Sequence, residues 1–218
     1  MISPKNKKKR TNSSREWILR QVSDPYVAKA KKLGYRSRAA FKLLEIDEKF
    51  MLLKGNLTVI DLGCAPGGWL QVVSQKLRRN DGNRIIGVDL RCVELIPGVT
   101  VLTGDFTEDT TVLRILEELS GQRADLILSD MAPDSCGIPS VDHDRVVGLV
   151  RNCLLFCSSA LKKGGSFVTK IFHGKEEIGV LDEMKHNFAK VQHFKPAASR
   201  GKSAEIYLVA QGFLGSKS

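Results

Sequence analysis

The sequence predicts one α/β domain built on a mostly parallel, doubly wound sheet. Three observations carry that expectation. From residue 57 onward, short runs rich in β-branched residues alternate with longer segments of helical apolar spacing, the order of strands joined by crossover helices. A glycine-rich loop, Gly63-Cys64-Ala65-Pro66-Gly67-Gly68, separates the first such run from the first such helix. Polar residues also recur at the ends of successive runs, where open parallel sheets bind ligands. At 218 residues the chain is long enough for one domain with a real core.

Seven strands are expected, at 57–62, 84–90, 99–102, 125–130, 166–172, 190–194 and 205–210. Between them, 67–79, 108–119, 142–162 and 175–188 read as helices. The third of these closes on Lys162-Lys163-Gly164-Gly165, cations and then glycine after a last turn. Upstream, 36–50 has helical spacing at Ala40, Leu43 and Leu44, with Phe41 and Phe50 added. Residues 1–14 read as a basic disordered leader, 15–212 as the domain with a basic helical segment over 15–50, and 213–218 as a tail. The strand-terminal residues that deserve inspection are Asp61 with its loop, Asp89, Asp105, Asp130 and Lys170.

Charge is unevenly placed. Residues 1–38 hold twelve Lys/Arg against Glu16 and Asp24, and the remaining residues carry 22 basic and 22 acidic side chains, so the whole net charge of +10 is N-terminal. Such an arm is either a solvated tail or a phosphate-neutralising one. Arg15, Arg20, Lys29, Lys31, Lys32, Arg36 and Arg38 run alongside Trp17 and Tyr26, aromatic rings able to stack on bases, which favours nucleic acid.

No stretch approaches the ~20 apolar residues of a membrane span, and the first residues lack the apolar core of a secretory signal. A soluble, unexported, cytoplasmic protein is expected; a mitochondrial presequence is the weaker reading, because the basic, acid-free start lacks an apolar face. The five cysteines contain no CxxC pair, so neither a disulfide framework nor a metal site is signalled.

The loop after the first strand discriminates among ligands. A phosphate-binding Walker loop needs Lys-Ser/Thr after its last glycine, where Trp69-Leu70 stands. A dinucleotide fingerprint needs G-x-G-x-x-G, whereas the spacing here is G-x-x-x-G-G with a proline inside. There remains a nucleoside ligand without pyrophosphate, held by Gly63, Gly67 and a carboxylate ending the second strand, Asp89, which can take both ribose hydroxyls. S-adenosylmethionine meets this description, with Asp105 near the adenine edge. Trp69 suits core packing at least as well as ligand contact.

DLGCAPGGW at 61–69, SDMAP at 129–133, VTKIF at 168–172, AFKLLEI at 40–46 and SAEIYLVA at 203–210 stand in the same order as in the FtsJ/RrmJ family of ribosomal RNA 2′-O-methyltransferases, which the chain resembles over roughly residues 15–212. The resemblance implies a Rossmann-like S-adenosylmethionine-dependent methyltransferase fold. It implies a catalytic tetrad of Lys42, Asp130, Lys170 and Glu205, and cofactor positions at Gly67, Trp69, Asp89, Asp105 and Asp130. It further implies that the acceptor is a uridine in 23S-type rRNA of the large ribosomal subunit, with Arg15, Arg20, Lys31, Lys32, Arg36 and Arg38 contacting phosphates and the protein acting as a monomer. The lysine-rich leader departs most from the family pattern and leaves the docking mode open.

A ribose 2′-hydroxyl is a weak nucleophile, and a positioned base contributes a factor of about 10²–10⁴. A lysine serves as base only when neutral. Lys170, flanked by apolar residues in GSFVTKIF, is the expected general base, with the role of a cation stabilising the developing alkoxide as the alternative. Lys42 also fits an exposed helix lysine paired with Glu45, three residues on, and Glu205 a strand-edge surface charge. Two other functions compete. A noncatalytic ribosome-assembly factor on the same scaffold would bind subunits without methyl transfer, and a nicotinamide oxidoreductase would need the missing glycine spacing.

Overall fold

Every residue of β1 (Thr58–Leu62) is buried, as a strand covered on both faces requires. The computed structural model describes residues 23–77, 82–133, 136–174, 176–201 and 203–215. The expected leader, and with it Arg15, Trp17 and Arg20, lies outside them.

Two helices precede the sheet. Asp24 caps α1 (Pro25–Leu33) by accepting from the Tyr26 N–H at 3.0 Å, Pro25 fits the first turn, and Gly34 closes the helix in the left-handed region at φ 73°. α2 (Ala39–Phe50) buries Ala40, Leu43, Ile46 and Phe50 along one stripe. After β1 come α3 (Gly68–Leu77), β2 (Arg84–Asp89), β3 (Thr100–Thr103), α4 (Asp109–Glu118), β4 (Ala124–Ser129), α5 (Pro139–Ala160), β5 (Leu161–Phe172), α6 (Glu176–Asn187), β6 (Phe188–Phe194) and β7 (Glu205–Phe213).

The seven strands lie in the order β3-β2-β1-β4-β5-β7-β6. All neighbours are parallel except β7, which runs antiparallel to both β5 and β6. Alternation along the strands feeds two core layers. Ile60, Ile86, Ile127 and Phe167 pack with α4, α5 and α6 side chains such as Ile115, Val150 and Met184. Val59, Ile85, Leu126 and Val168 pack with α2 and α3 side chains such as Leu43, Ile46, Leu70 and Val73. Each such buried aliphatic side chain contributes about 1.5–3 kcal/mol, so the one-residue phase of each strand is strongly set. Strand order reverses between β1 and β4, opening a crevice at their carboxyl ends.

The element types match the sequence reading, most ends shift by a residue or more, and two of the shifts bear on the sheet. α5 ends at Ala160 and the chain turns extended at Leu161 (φ −89°, ψ 136°), so the lysine-glycine stretch expected to end a helix belongs to β5. Leu161 already pairs with Ala124, and the register then shifts before Ser166 pairs with Leu126, a bulge that accommodates Gly164 at φ 82°. β7 runs to Phe213, whose ring is buried against Phe188, three residues past the strand end expected at 210. Among the described residues no helix is long and apolar enough to cross a membrane.

Candidate active site

The loop after β1 turns back over the sheet because Gly63, at φ 75°, lets both its own N–H and that of Cys64 bond to the Val88 carbonyl at 2.8 and 3.1 Å. A Cβ on Gly63 would overlap the Met131 side chain, and one on Gly68 would overlap Ser37 Oγ. The first glycine therefore keeps a gap open between the β1 and β4 loops, and the second seats α3 against the start of α2.

That gap belongs to a cavity of about 810 Å³, lined among others by Gly63, Asp89, Asp105, Asp130, Met131 and Asn152. Its size suits a nucleoside-sized ligand. Asp89 accepts from the Ala65 N–H (2.8 Å) and the Arg91 N–H (2.9 Å), one on each carboxylate oxygen, which fixes the group while leaving further lone pairs toward the cavity. Asp105 is held by the N–H and hydroxyl of Thr107 at 2.8 and 2.7 Å, and these two bonds hold its pKa below the ordinary carboxylate value.

Asp61 is the residue the sequence reading inspected and did not assign. It lies on β1 between β2 and β4, fully buried, and neither carboxyl oxygen has a hydrogen-bond partner among the described residues. Burial raises its pKa well above the usual value, and the charges of Asp130 and Asp89 add to the effect. Three carboxylates, Asp89, Asp105 and Asp130, line the cavity together with Arg91 and Arg145, and Asp61 is buried near enough to Asp130 and Asp89 to feel their charges, a set that suits a cationic nucleoside such as S-adenosylmethionine.

Gly67 and Trp69, expected as cofactor contacts, sit outside the cavity wall. Gly67, at φ 103°, faces Arg36 and Val93. The Trp69 ring is buried, its Nε1–H donates to the Ala39 carbonyl at 2.8 Å, and it packs 5.8 Å from the Tyr207 ring, so it joins α3 to α2.

Beside the cavity stand the four expected tetrad residues. Lys170 Nζ lies 3.0 Å from Asp130 Oδ1 and donates to the Asp130 main-chain carbonyl at 2.6 Å. Lys42 Nζ lies 3.6 Å from Asp130 Oδ2, and 2.8 and 2.9 Å from the two oxygens of Glu205. The result is one chain of alternating charge, Glu205–Lys42–Asp130–Lys170, with both lysines largely buried. Strand geometry explains it. Lys170 pairs directly with Tyr207 and Phe172 with Glu205 across β5 and β7, so Lys170, Tyr207 and Glu205 point to the face where α2 delivers Lys42.

Tyr207 was not singled out from the sequence. It is fully buried, its hydroxyl donates to Asp130 Oδ1 at 2.7 Å, and Lys42 Nζ lies 5.6 Å from its ring centre. Its spacing of two from Glu205 on a strand was the available signal. Burial alone would raise the Asp130 pKa, but the cations Lys170 and Lys42, the Tyr207 hydroxyl and the Lys170 hydrogen bond together bring it below the ordinary value, so Asp130 is ionised.

The basic segment divides. Lys31 and Lys32 are exposed on the last turn of α1. Arg36 and Arg38, expected on phosphates, are instead engaged internally. Arg36 donates to the carbonyls of Pro66, Glu94 and Leu95, and Arg38 to Asp24 and the Ala198 carbonyl. A guanidinium presents several donors in a fixed fork, so each of these side chains can hold more than one main-chain or carboxylate oxygen at once.

A glycine loop at a switch point, an acid-lined nucleoside cavity and a doubly wound sheet with one antiparallel strand define a Rossmann-like methyltransferase. The chain belongs to the FtsJ-like methyltransferase family, whose model matches residues 35–213. S-adenosylmethionine is the general methyl donor of such a family. The Ribosomal RNA large subunit methyltransferase E of Paramagnetospirillum magneticum is 49% identical over 99% of this chain and 89% of its own length. That of Rickettsia bellii is 49% identical over 96% of this chain and 93% of its own length. Among solved structures, a protein described as a ribosomal RNA methyltransferase from Plasmodium falciparum superposes with a TM-score of 0.77 at 34% identity, over 84% of this chain and all of its own. A fibrillarin/Nop5p complex shares the fold alone, at a TM-score of 0.57 and 20% identity.

Proposed function

We propose that the protein methylates the 2′-hydroxyl of a uridine in the 23S-type rRNA of the large ribosomal subunit, with Lys170 as general base. The observation that supports it best is the single chain of contacts from Glu205 through Lys42 and Asp130 to Lys170, standing beside an acid-lined nucleoside cavity. Relatives named for large-subunit rRNA methylation, matched along nearly the whole chain, support the acceptor class.

Bound S-adenosylmethionine supplies an electrophilic methyl group on a sulfonium. Asp89, Asp105 and Gly63 would hold its nucleoside, and Asp61 and Asp130 would face its cationic portion. In its neutral form Lys170 has two N–H bonds, which the Asp130 carboxylate and main-chain carbonyl accept, and one lone pair, which is left for the substrate. The proton of the ribose hydroxyl passes to Lys170 Nζ, and the ammonium that results faces the Asp130 carboxylate. Lys42 balances Asp130 from the other side, and Glu205 in turn holds Lys42. Aligning acceptor and methyl carbon can contribute up to about 7–11 kcal/mol. Lys31 and Lys32, with the basic residues N-terminal to them, dock RNA phosphates in the bacterial cytoplasm.

The experiment is transfer of labelled methyl groups to purified large subunits, scored as alkali-resistant 2′-O-methyl nucleotide. Lys170→Ala should abolish transfer and retain cofactor binding. Lys170→Arg distinguishes the two roles of the lysine, because a guanidinium keeps the cation and cannot accept a proton. An inactive Lys170→Arg supports the base; appreciable activity in it supports the alkoxide-stabilising cation. Subunit binding with no methyl transfer under any condition would mark an assembly factor instead.

A further inference from the structure

Glu205 joins the tetrad through Lys42: its carboxylate meets the Lys42 ammonium through both oxygens and, through Oε1, a second donor group, the hydroxyl of Ser199 at 2.8 Å. Ser199 is buried in the connection between β6 and β7. The terminal torsion of a glutamate is soft, and an ammonium placed against both oxygens tolerates rotation of the carboxylate about their shared axis. A second donor on one oxygen removes that freedom.

Ser199 is itself placed by the helix that carries Lys42. Its N–H bonds to the Pro196 carbonyl at 2.9 Å. The preceding residue is gripped on both sides: the Ala198 N–H donates to the two Glu45 oxygens, each at 3.2 Å, and the Ala198 carbonyl accepts from Arg38. Arg38, Lys42 and Glu45 are spaced four and three residues apart, on one face of α2. Asp24, which caps α1, binds both Arg38 and Arg200 and ties the same connection down from beyond Ser199. The donor for Glu205 and the cation for Glu205 are thus mounted on one body.

We propose that Ser199 is a positioning residue for methyl transfer: it fixes the plane of the Glu205 carboxylate, which fixes Lys42 against Asp130. The inference rests on the tetrad reading above. The test is a double-mutant cycle of Ser199→Ala and Glu205→Gln, with kcat, the KM for large subunits, cofactor affinity and Tm measured for each, and Ser199→Thr as the variant that keeps a hydroxyl. Ser199→Ala should lower kcat about tenfold, the scale of a hydrogen bond to a charged group. KM and cofactor affinity should stay unchanged, Ser199→Thr should recover most of the loss, and Ser199→Ala should add nothing in the Glu205→Gln background. Losses that multiply in the double mutant, or a fully active Ser199→Ala beside an impaired Glu205→Gln, overturn the role of Ser199 and leave the tetrad standing. A fully active Glu205→Gln overturns both.

Discussion

Replacing Asp61 with asparagine should make the unliganded protein more stable at neutral pH, by an amount that grows with pH. The carboxyl is buried with neither oxygen partnered among the described residues, and burial followed by the charges of Asp130 and Asp89 raises its pKa well above 3.8. A raised pKa contributes stability that is complete below the unfolded value and lost as pH rises through the folded one. In the intervening window the folded state binds one proton more than the unfolded state, so the wild type loses about 1.4 kcal/mol per pH unit through this group. Asparagine does not titrate, and its own cost of burial is independent of pH. The depressed pKa of Asp130 acts in the opposite sense and in a different window, losing stability only as pH falls below the ordinary carboxylate range. Urea unfolding of both proteins at pH 5 and pH 6 isolates the effect. With a slope of about 1–3 kcal/mol per molar urea, the midpoint advantage of Asp61→Asn should widen by roughly 0.5–1.4 M across that interval. An advantage that does not change with pH would mean that Asp61 is ionised, or paired, in the folded protein, and the reading of its site would fail.

Three other outcomes follow from the geometry. Gly63→Ala should cut cofactor affinity at least about tenfold by calorimetry, since its Cβ invades the Met131 side of the cavity at a left-handed φ that costs about 1–2 kcal/mol outside glycine. Arg36→Gln should lower stability by about 0.5–1.5 kcal/mol, through the lost bonds to three exposed main-chain carbonyls. Its affinity for ribosomal subunits should be unchanged. Lys31→Gln with Lys32→Gln should do the reverse, leaving the Tm as it is and reducing the salt dependence of subunit binding by about two in slope; titrations at several salt concentrations check both.

Alternation and glycine placement made the sheet legible, because a period of two and a turn after β1 are local properties. Long-range pairing was not local. Lys42 has Glu45 three residues away on its own helix, yet Glu45 bonds to Ala198 N–H and Lys42 reaches Glu205, 163 residues on. Arg36 and Arg38 read as phosphate ligands because composition shows charge and not the carbonyls that capture it. Trp69 sits within a cofactor motif, but its ring direction depends on how α3 meets α2. The bulge at the start of β5 escaped notice because lysines followed by glycines are also what a helix end looks like. Tyr207 and Ser199 are a common strand residue and a common loop residue until the strands are paired.

The strand that follows every other element in the sequence, β7, occupies an interior position in the sheet, between β5 and β6. Chains emerge N-terminus first, so six strands are made before the seventh can enter, and until it does β5 and β6 each expose an unpaired edge of the kind that aggregates. The entering strand brings Glu205 and Tyr207 with it. A chain cut short before residue 205 therefore lacks its sheet closure, one end of its charge chain and the hydroxyl that bonds to Asp130, and no partly made copy can hold Asp130 and Lys42 as the finished one does.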